Sequence, residues 1–275
     1  MIFQVQSADE VGKLVSRVKS TATEYCTNFY PTPAKLQNWV RHAELWCENA
    51  EGAVFFLRKD RGFTHLSFCA KSRDSLKRGI ENLPIVKEEP FVLDLVGAEA
   101  ALVPFWELLK TQGFSLYQRL FRMTRTVSPE HEAMPAADAR VVTAAVDDCQ
   151  AILDFLLQSF DCRAEQIPML YEIRDAVDLG KILVVRQGQD LAGLLFFETQ
   201  GMTSTLRYWL VDPGFRDQRI GAALMSRWFL DHPKTRRFLL WVIADNSNAI
   251  SKYGHYGFSP DGLVDFVLAN ERINA

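Results

Sequence analysis

The alternation of apolar and polar positions divides the chain into short strands and amphipathic helices. Ser7 to Lys19 carries Val11, Leu14, Val15 and Val18 on one helical face, and Ser7 with Glu10 reads as a capping box at its start. The aromatic, proline-broken stretch Tyr25 to Pro33 reads as a loop. Lys35 to Asn49 reads as a second helix, with Leu36, Trp39, Val40, Ala43 and Trp46 along it. Ala53 to Arg58 and Phe63 to Ala70 are predicted strands joined by the turn Asp60-Arg61-Gly62. A helix over Ser72 to Asn82, a strand over Phe91 to Val96 and a helix over Ala98 to Thr111 follow. Gly113-Phe114 then leads into a strand over Leu116 to Thr126.

The second half repeats this order. It has a strand at Arg140 to Thr143, helices near Asp147 to Phe160 and Ala164 to Asp175, and strands at Ile182 to Arg186 and Leu191 to Glu198. A further strand, a helix, the buried-looking strand Arg236 to Ala244, another helix and a last strand, Gly262 to Ala269, complete it. The segment FWELLKTQGF in the first half echoes ISKYGHYGF in the second. Recurrent element order suggests a tandem pair: residues 1–127, a polar linker at 128–139 and residues 140–275.

Two stretches of the second half carry chemistry. In LRYWLVDPGFRDQRIGAAL, Leu206, Tyr208 and Leu210 alternate as in a strand, Asp212-Pro213-Gly214 ends it, and a helix opens near Ile220, running to about Leu230 before Asp231-His232-Pro233. The first N–H groups of a helix lack partners, and the dipole there favours an anion. Gly221 and Ala222 leave that surface bare, and Arg216 and Arg219 add positive charge. The second stretch places Asp245-Asn246-Ser247-Asn248, rich in helix caps, ahead of Ala249 and Tyr253 on one helical face, with Gly257 where a helix ends in the left-handed conformation.

The first stretch resembles motif A of the GCN5-related N-acetyltransferases (the GNAT superfamily), through Val211, Pro213, Arg216, Arg219 and Gly221. It departs where Arg219 replaces the usual first glycine, which a strict positive φ would strain. The second stretch is similar to motif B through Asn246, Ala249, Tyr253, Gly257 and Phe258. The resemblance covers the chain from about Arg140 onward. It implies an α/β fold of two tandem GNAT-like domains, each a mixed, mostly antiparallel sheet flanked by helices. It also implies transfer of an acetyl group from acetyl-CoA to an amine by direct attack on the thioester. Leu210 and Val211 would hold the pantetheine arm. The amides of Arg216, Asp217, Gln218, Arg219, Ile220, Gly221 and Ala222 would hold the pyrophosphate, with Asn246, Ala249 and Tyr253 completing the site. Tyr253 is the candidate acid for the leaving thiolate; a phenol with a pKa near ~10 is protonated at neutral pH.

The general base is open among Glu198, Glu172, Asp245 and a water relay. Arg207 stands near the place where the family often holds a carboxylate. It reads either as a contact for an anionic acceptor or as one half of an ion pair. The first half reads as a degenerate, non-catalytic copy: Leu109 stands where Tyr253 stands relative to Gly257, and its charged segment Ser72 to Ile80 lacks a small pair.

Composition narrows the class. The chain is 48% hydrophobic and 24% charged, enough for substantial cores. A net charge of −3 argues against a nucleic-acid footprint over the whole chain. The start MIFQVQSADE lacks the pattern of a signal peptide, and no apolar run approaches the ~18 residues of a membrane helix. Cys26, Cys47, Cys69, Cys149 and Cys162 fit reduced thiols and a cytoplasmic location, and His42, His65, His131, His232 and His255 show no metal-ligand spacing, so no metal is expected. The oligomeric state is open, a monomer built as an internal pseudo-dimer being one form. Three rivals remain: a CoA-binding regulatory module without turnover, a transferase of the same architecture using aminoacyl-tRNA, and an interaction scaffold that binds no CoA.

Overall fold

A computed structural model describes residues 2–50, 52–83, 90–127 and 138–270. The chain forms two units, one made of residues up to Leu120 and from Gly262 on, the other of Phe121–Asp261. In the first, the elements are β1 (Phe3–Gln4), α1 (Ala8–Ser20), β2 (Cys26–Thr27), α2 (Pro33–Arg41), β3 (Leu45–Ala50), β4 (Ala53–Asp60), β5 (Phe63–Ala70), α3 (Arg73–Glu81), β6 (Phe91–Ala98), α4 (Glu99–Lys110) and the start of β7 (Phe114–Thr126). The second unit takes β7 from Phe121. It continues with β8 (Val142–Thr143), α5 (Cys149–Ser159), α6 (Cys162–Glu165), α7 (Leu170–Asp178), β9 (Ile182–Gln187), β10 (Asp190–Gln200), β11 (Thr203–Val211), α8 (Ile220–Asp231), β12 (Arg237–Ile243) and α9 (Ser247–His255). The last strand, β13 (Ser259–Asn270), returns to the first unit from Gly262.

Each unit is a mixed, mostly antiparallel sheet flanked by helices. In the first, the order β1-β3-β4-β5-β6-β13 is antiparallel except for β5 and β6, with β2 added on β5. In the second, β7-β12-β11-β10-β9-β8 has a parallel β11–β12 pair. Alternation along these strands sends side chains to opposite faces, so each sheet carries a core on both. In the second unit, Leu195, Leu206 and Leu240 pack with Leu224 and Trp228 of α8 on one face. On the other, Phe196 and Tyr208 pack with Ile152 and Leu156 of α5 and Ile173 of α7. The Trp228 Nε1 donates to the buried Ser204 hydroxyl at 3.0 Å, so burying the indole leaves no donor unpaired.

Most predicted elements stand, with instructive exceptions. The helix expected over Lys35 to Asn49 ends at Arg41, because Ala43 is left-handed (φ 58°) and Leu45–Ala50 instead pair with β4. The helix expected at Ala164 to Asp175 is broken into α6 and α7 by a left-handed Gln166 (φ 46°) ahead of Pro168. The expected division at 127 and 140 differs at both ends. Residues from Phe121 belong to the second unit, and those from Gly262 to the first, where Leu263–Ala269 run antiparallel to Val92–Ala98. Most of the expected linker, 128–137, lies outside the described residues.

That last pairing buries a carboxyl. Asp265 is 9% exposed, its Oδ1 has no hydrogen-bond partner, and burial with the charge of Asp94 nearby holds its pKa well above the ordinary value. Below about pH 4 both folded and unfolded chains carry this proton. As pH rises, the unfolded chain loses it first, so folding stability falls until the raised folded pKa is passed. Asp265→Asn is expected to remove that slope, so that its advantage in denaturant midpoint over wild type grows from about pH 4 to about pH 8.

Candidate active site

Strand β11 pairs with β12 from Thr203 opposite Arg237 to Leu206 opposite Leu240, and the pairing stops there. A bulge follows. On β10, Phe197 faces Leu206 while Phe196 faces Tyr208, which leaves Arg207 as the extra residue of β11. Beyond it, Trp209, Leu210 and Val211 line a cleft of about 730 Å³. The opposite wall comes from α9 through Ala249, Lys252, Tyr253 and Tyr256, and the floor from the start of α8.

The turn into α8 is built for an anion. The Asp212 carboxylate accepts the Gly214 N–H at 2.7 Å and fixes the turn after β11. Asp217 (φ 66°) and Arg219 (φ 59°) are both left-handed, although neither is glycine. Arg219 is the residue that caps α8, and its side chain accepts no helix N–H. By contrast Ser7, Thr32, Ser72 and Asn246 each accept one at the starts of α1, α2, α3 and α9. The open N–H groups of α8 therefore face the cleft beside the positive charges of Arg216, Arg219 and Lys252.

Of the expected cofactor-binding residues, Leu210, Val211, Arg216, Asp217, Arg219 and Ile220 line this one cleft, as do Gly221, Ala222, Asn246, Ala249 and Tyr253. Gln218 does not; its backbone carbonyl accepts from Arg140 and its side chain meets Gln187. The side-chain oxygen of Asn246 is used as a cap, accepting the Ala249 N–H at 3.0 Å. Gly221 has a packing reason beyond an open backbone: a Cβ there would lie 3.0 Å from the Trp209 ring. Trp209 itself was not foreseen. Its ring sits 5.6 Å from that of Tyr253 and 5.7 Å from that of Tyr256, and its Nε1 is buried with no hydrogen-bond partner. Lys252 was also missed, its spacing of three from Ala249 being the available signal, and His255, two residues from Tyr253, lines the cleft as well.

Burial holds the Tyr253 phenol well above its ordinary pKa, and the charge of Glu165 adds to the effect. It thus stays protonated throughout the neutral range. Glu172 accepts the Met169 N–H at the start of α7, at 2.8 Å. Glu198 lies 3.9 Å from Arg207. Asp245 sits in the turn ahead of α9, where its backbone carbonyl accepts from Ser247. Among the described residues no cluster of side chains could hold a metal ion.

The first unit shows how such a cleft is closed. There β5 and β6 pair in parallel only at Thr64–Phe91 and His65–Val92. Past that point Asn28 fills the gap. Its amide donates to the carbonyls of Leu66 (3.3 Å) and Asp94 (3.0 Å), and its oxygen accepts from Phe68 N–H at 2.7 Å. Alongside, Cys26 and Thr27 pair with Ala70 and Cys69 of β5. The start of α3 is closed as well, by the Ser72 hydroxyl on Ser75 N–H.

Residues 149–258 match the profile of the Acetyltransferase (GNAT) family. Among solved structures, the chain is similar over 98% of each to a tandem GNAT protein from the clavulanic acid biosynthesis pathway, with a TM-score of 0.61 and 12% identity. A GCN5-related N-acetyltransferase from Sphaerobacter thermophilus matches over 98% of this chain and 95% of its own, at 0.58 and 13%. A Drosophila protein matches over 98% of each at 0.59 and 14%. At such identities these likenesses concern the fold. No curated protein is similar enough in sequence to count as a match. The second unit thus carries a GNAT acetyltransferase domain, and the chain as a whole has the fold of tandem GNAT proteins. The co-substrate of that family is acetyl-CoA.

The left-handed loop yields a stability test. A side chain at positive φ costs on the order of 1–2 kcal/mol, part of which glycine's greater unfolded freedom cancels. Arg219→Gly is expected to raise unfolding free energy by about 1 kcal/mol or less while weakening acetyl-CoA binding through loss of one charge. Denaturant titration and calorimetry on the same variant check both directions.

Proposed function

We propose that the second unit transfers an acetyl group from acetyl-CoA to a primary amine of a small molecule or peptide, by direct attack of the amine on the thioester. The observation that carries this reading is the uncapped start of α8, opening onto the cleft where β11 leaves β12. The open N–H groups of Ile220, Gly221 and Ala222 would receive the pyrophosphate, each bond to a charged group contributing about 1.5–3 kcal/mol. Arg216, Arg219 and Lys252 add charge at the cleft. The unpaired edge of β11 at Leu210 and Val211 supplies backbone partners for the amide-bearing arm of the co-substrate. Tyr253 gives its phenolic proton to the departing thiolate.

The first unit is, in this proposal, a non-catalytic copy, with Asn28 and β2 where a ligand would need to lie. One chain would then hold one acetyl-CoA. The five free cysteines, four of them buried, fit a reducing cytoplasmic setting. Among the described residues no helix is long and apolar enough to cross a membrane.

The decisive experiment is a panel of primary amines incubated with acetyl-CoA, with release of free thiol followed by a disulfide reagent. CoA binding without thiol release from any amine would favour a regulatory module instead, and turnover that needs aminoacyl-tRNA but no CoA would favour the tRNA-dependent rival. Gly221→Glu should abolish acetyl-CoA binding in calorimetry, because a like charge then stands at the phosphate's approach and the side chain presses on Trp209. Wild-type protein should titrate to one acetyl-CoA per chain; two would show the first unit to be a second site. Tyr253→Phe should leave acetyl-CoA affinity nearly unchanged and lower kcat by about 10²–10⁴-fold where chemistry limits the rate.

A further inference from the structure

The general base is open among Glu198, Glu172, Asp245 and a water relay; Glu172 accepts one cap N–H and Glu198 faces Arg207. A different carboxylate stands in the right surroundings. Glu165 ends the short helix α6, at a sharp turn made by the left-handed Gln166. Its backbone is fastened to the parting strand: the Tyr208 hydroxyl, from the residue just after the bulge, meets the carbonyls of Glu165 (2.9 Å) and Gln166 (2.8 Å). Its carboxylate is oriented by the Asp161 N–H, which donates to Oε2 at 3.0 Å. That single bond uses one of two oxygens. The same carboxylate acts electrostatically on the phenols of Tyr208 and, from α9, Tyr253. Its charge thus acts on the group assigned as the acid.

We propose that Glu165 is the general base that deprotonates the acceptor ammonium, working opposite Tyr253 across the parting of β11 from β12. This rests on the acetyl-transfer reading given above. The ammonium gives one proton to the Glu165 carboxylate, which passes it to solvent. The freed nitrogen lone pair forms the N–C bond at the thioester carbon, the C–S bond breaks, and the thiolate sulfur takes the Tyr253 proton. The second proton lost by nitrogen restores the phenol through solvent, so the net products are an amide, a free thiol and one proton.

The electrostatics suit the task. Burial, with the Asp161 charge adding to it and the Asp161 N–H bond opposing it, pushes the Glu165 carboxyl up to about 7. Glu165 is mostly ionised just above neutral pH and strong enough there to take a proton from an amine. The groups facing it are Asp161 from its own cap, Tyr208 from β11 and Tyr253 from α9. Arg207 and Glu172 act on Tyr208 in turn.

The test uses the intact protein and the amine that the panel turns over best. In wild type, log kcat/KM is expected to fall with unit slope below about pH 7. Glu165→Gln, which keeps the oxygen that accepts from Asp161, is expected to lose at least about 10²-fold in kcat/KM near pH 8, to lose the acid limb and to bind acetyl-CoA as wild type does. A wild-type acid limb well below this range, or a limb unchanged in the variant, overturns the assignment while leaving acetyl transfer standing. A limb abolished by His255→Gln instead would assign the titration to that residue and also overturn it. Absence of turnover with every amine would sink both readings together. Should the variant fail to bind acetyl-CoA and unfold, infrared titration of wild type with labelled glutamate carboxyls decides: a carboxyl titrating near 7 supports the proposal, and none above the ordinary range rejects it.

Discussion

The parting of β11 from β12 is the constraint on which the second unit depends. Two parallel strands that separate leave a row of backbone donors and acceptors on each facing edge, and such groups are costly if buried without partners. Only a few solutions exist: water, a ligand lying in the gap, or a piece of protein. The second unit keeps its gap open to a cleft lined by Trp209, Leu210 and Val211. The first unit takes the third solution, with one asparagine side chain spanning β5 and β6 and a two-residue strand beside it. The same fold element thus has opposite outcomes in one chain, and the difference lies in a handful of residues between α1 and α2.

The start of α8 depends on the same geometry. The bulge at Arg207 shifts the strand's register by one residue, so Trp209 packs toward α8 and α9 while Tyr208 turns to the face of α5 and α7. Trp209 then needs the missing side chain of Gly221 to lie flat against the helix. Arg219 and Asp217 hold the loop in torsions that glycine would adopt without cost. Strain of that kind survives where the surrounding structure fixes the backbone, and it gathers at binding sites.

Features fixed by neighbouring residues in the chain were legible in the sequence, and those fixed by distant packing were not. The strand, turn and helix around Asp212-Pro213-Gly214 could be read because each signal is local, and so could the Ser7 and Asn246 caps. The torsion at Arg219 could be posed as a question, since arginine stood where glycine was expected, but only the folded loop answers it. Ala43 and Gln166 break helices at positive φ without being glycine or asparagine, so nothing in their identity announced the break. The partner of the last strand was hidden too. Alternation reveals that Leu263 to Ala269 is a strand but is silent on which strand it joins. Glu165 escaped notice because its role depends on Tyr208, 43 residues away in the chain, fastening its backbone.

The return of β13 to β6 bears on how the protein is made. The first unit's sheet gains the neighbour of β6 only from residues 263–269, so synthesis must pass residue 269 before that unit is complete. Until then β6 presents a bare edge of Val92, Leu93 and Leu95, the kind of edge that other chains can capture. Domains usually fold in the order of their synthesis. Here the unit that emerges first finishes last. Loss of residues 263–269 would therefore damage the unit encoded first and leave Phe121–Asp261, with its cleft, uncut.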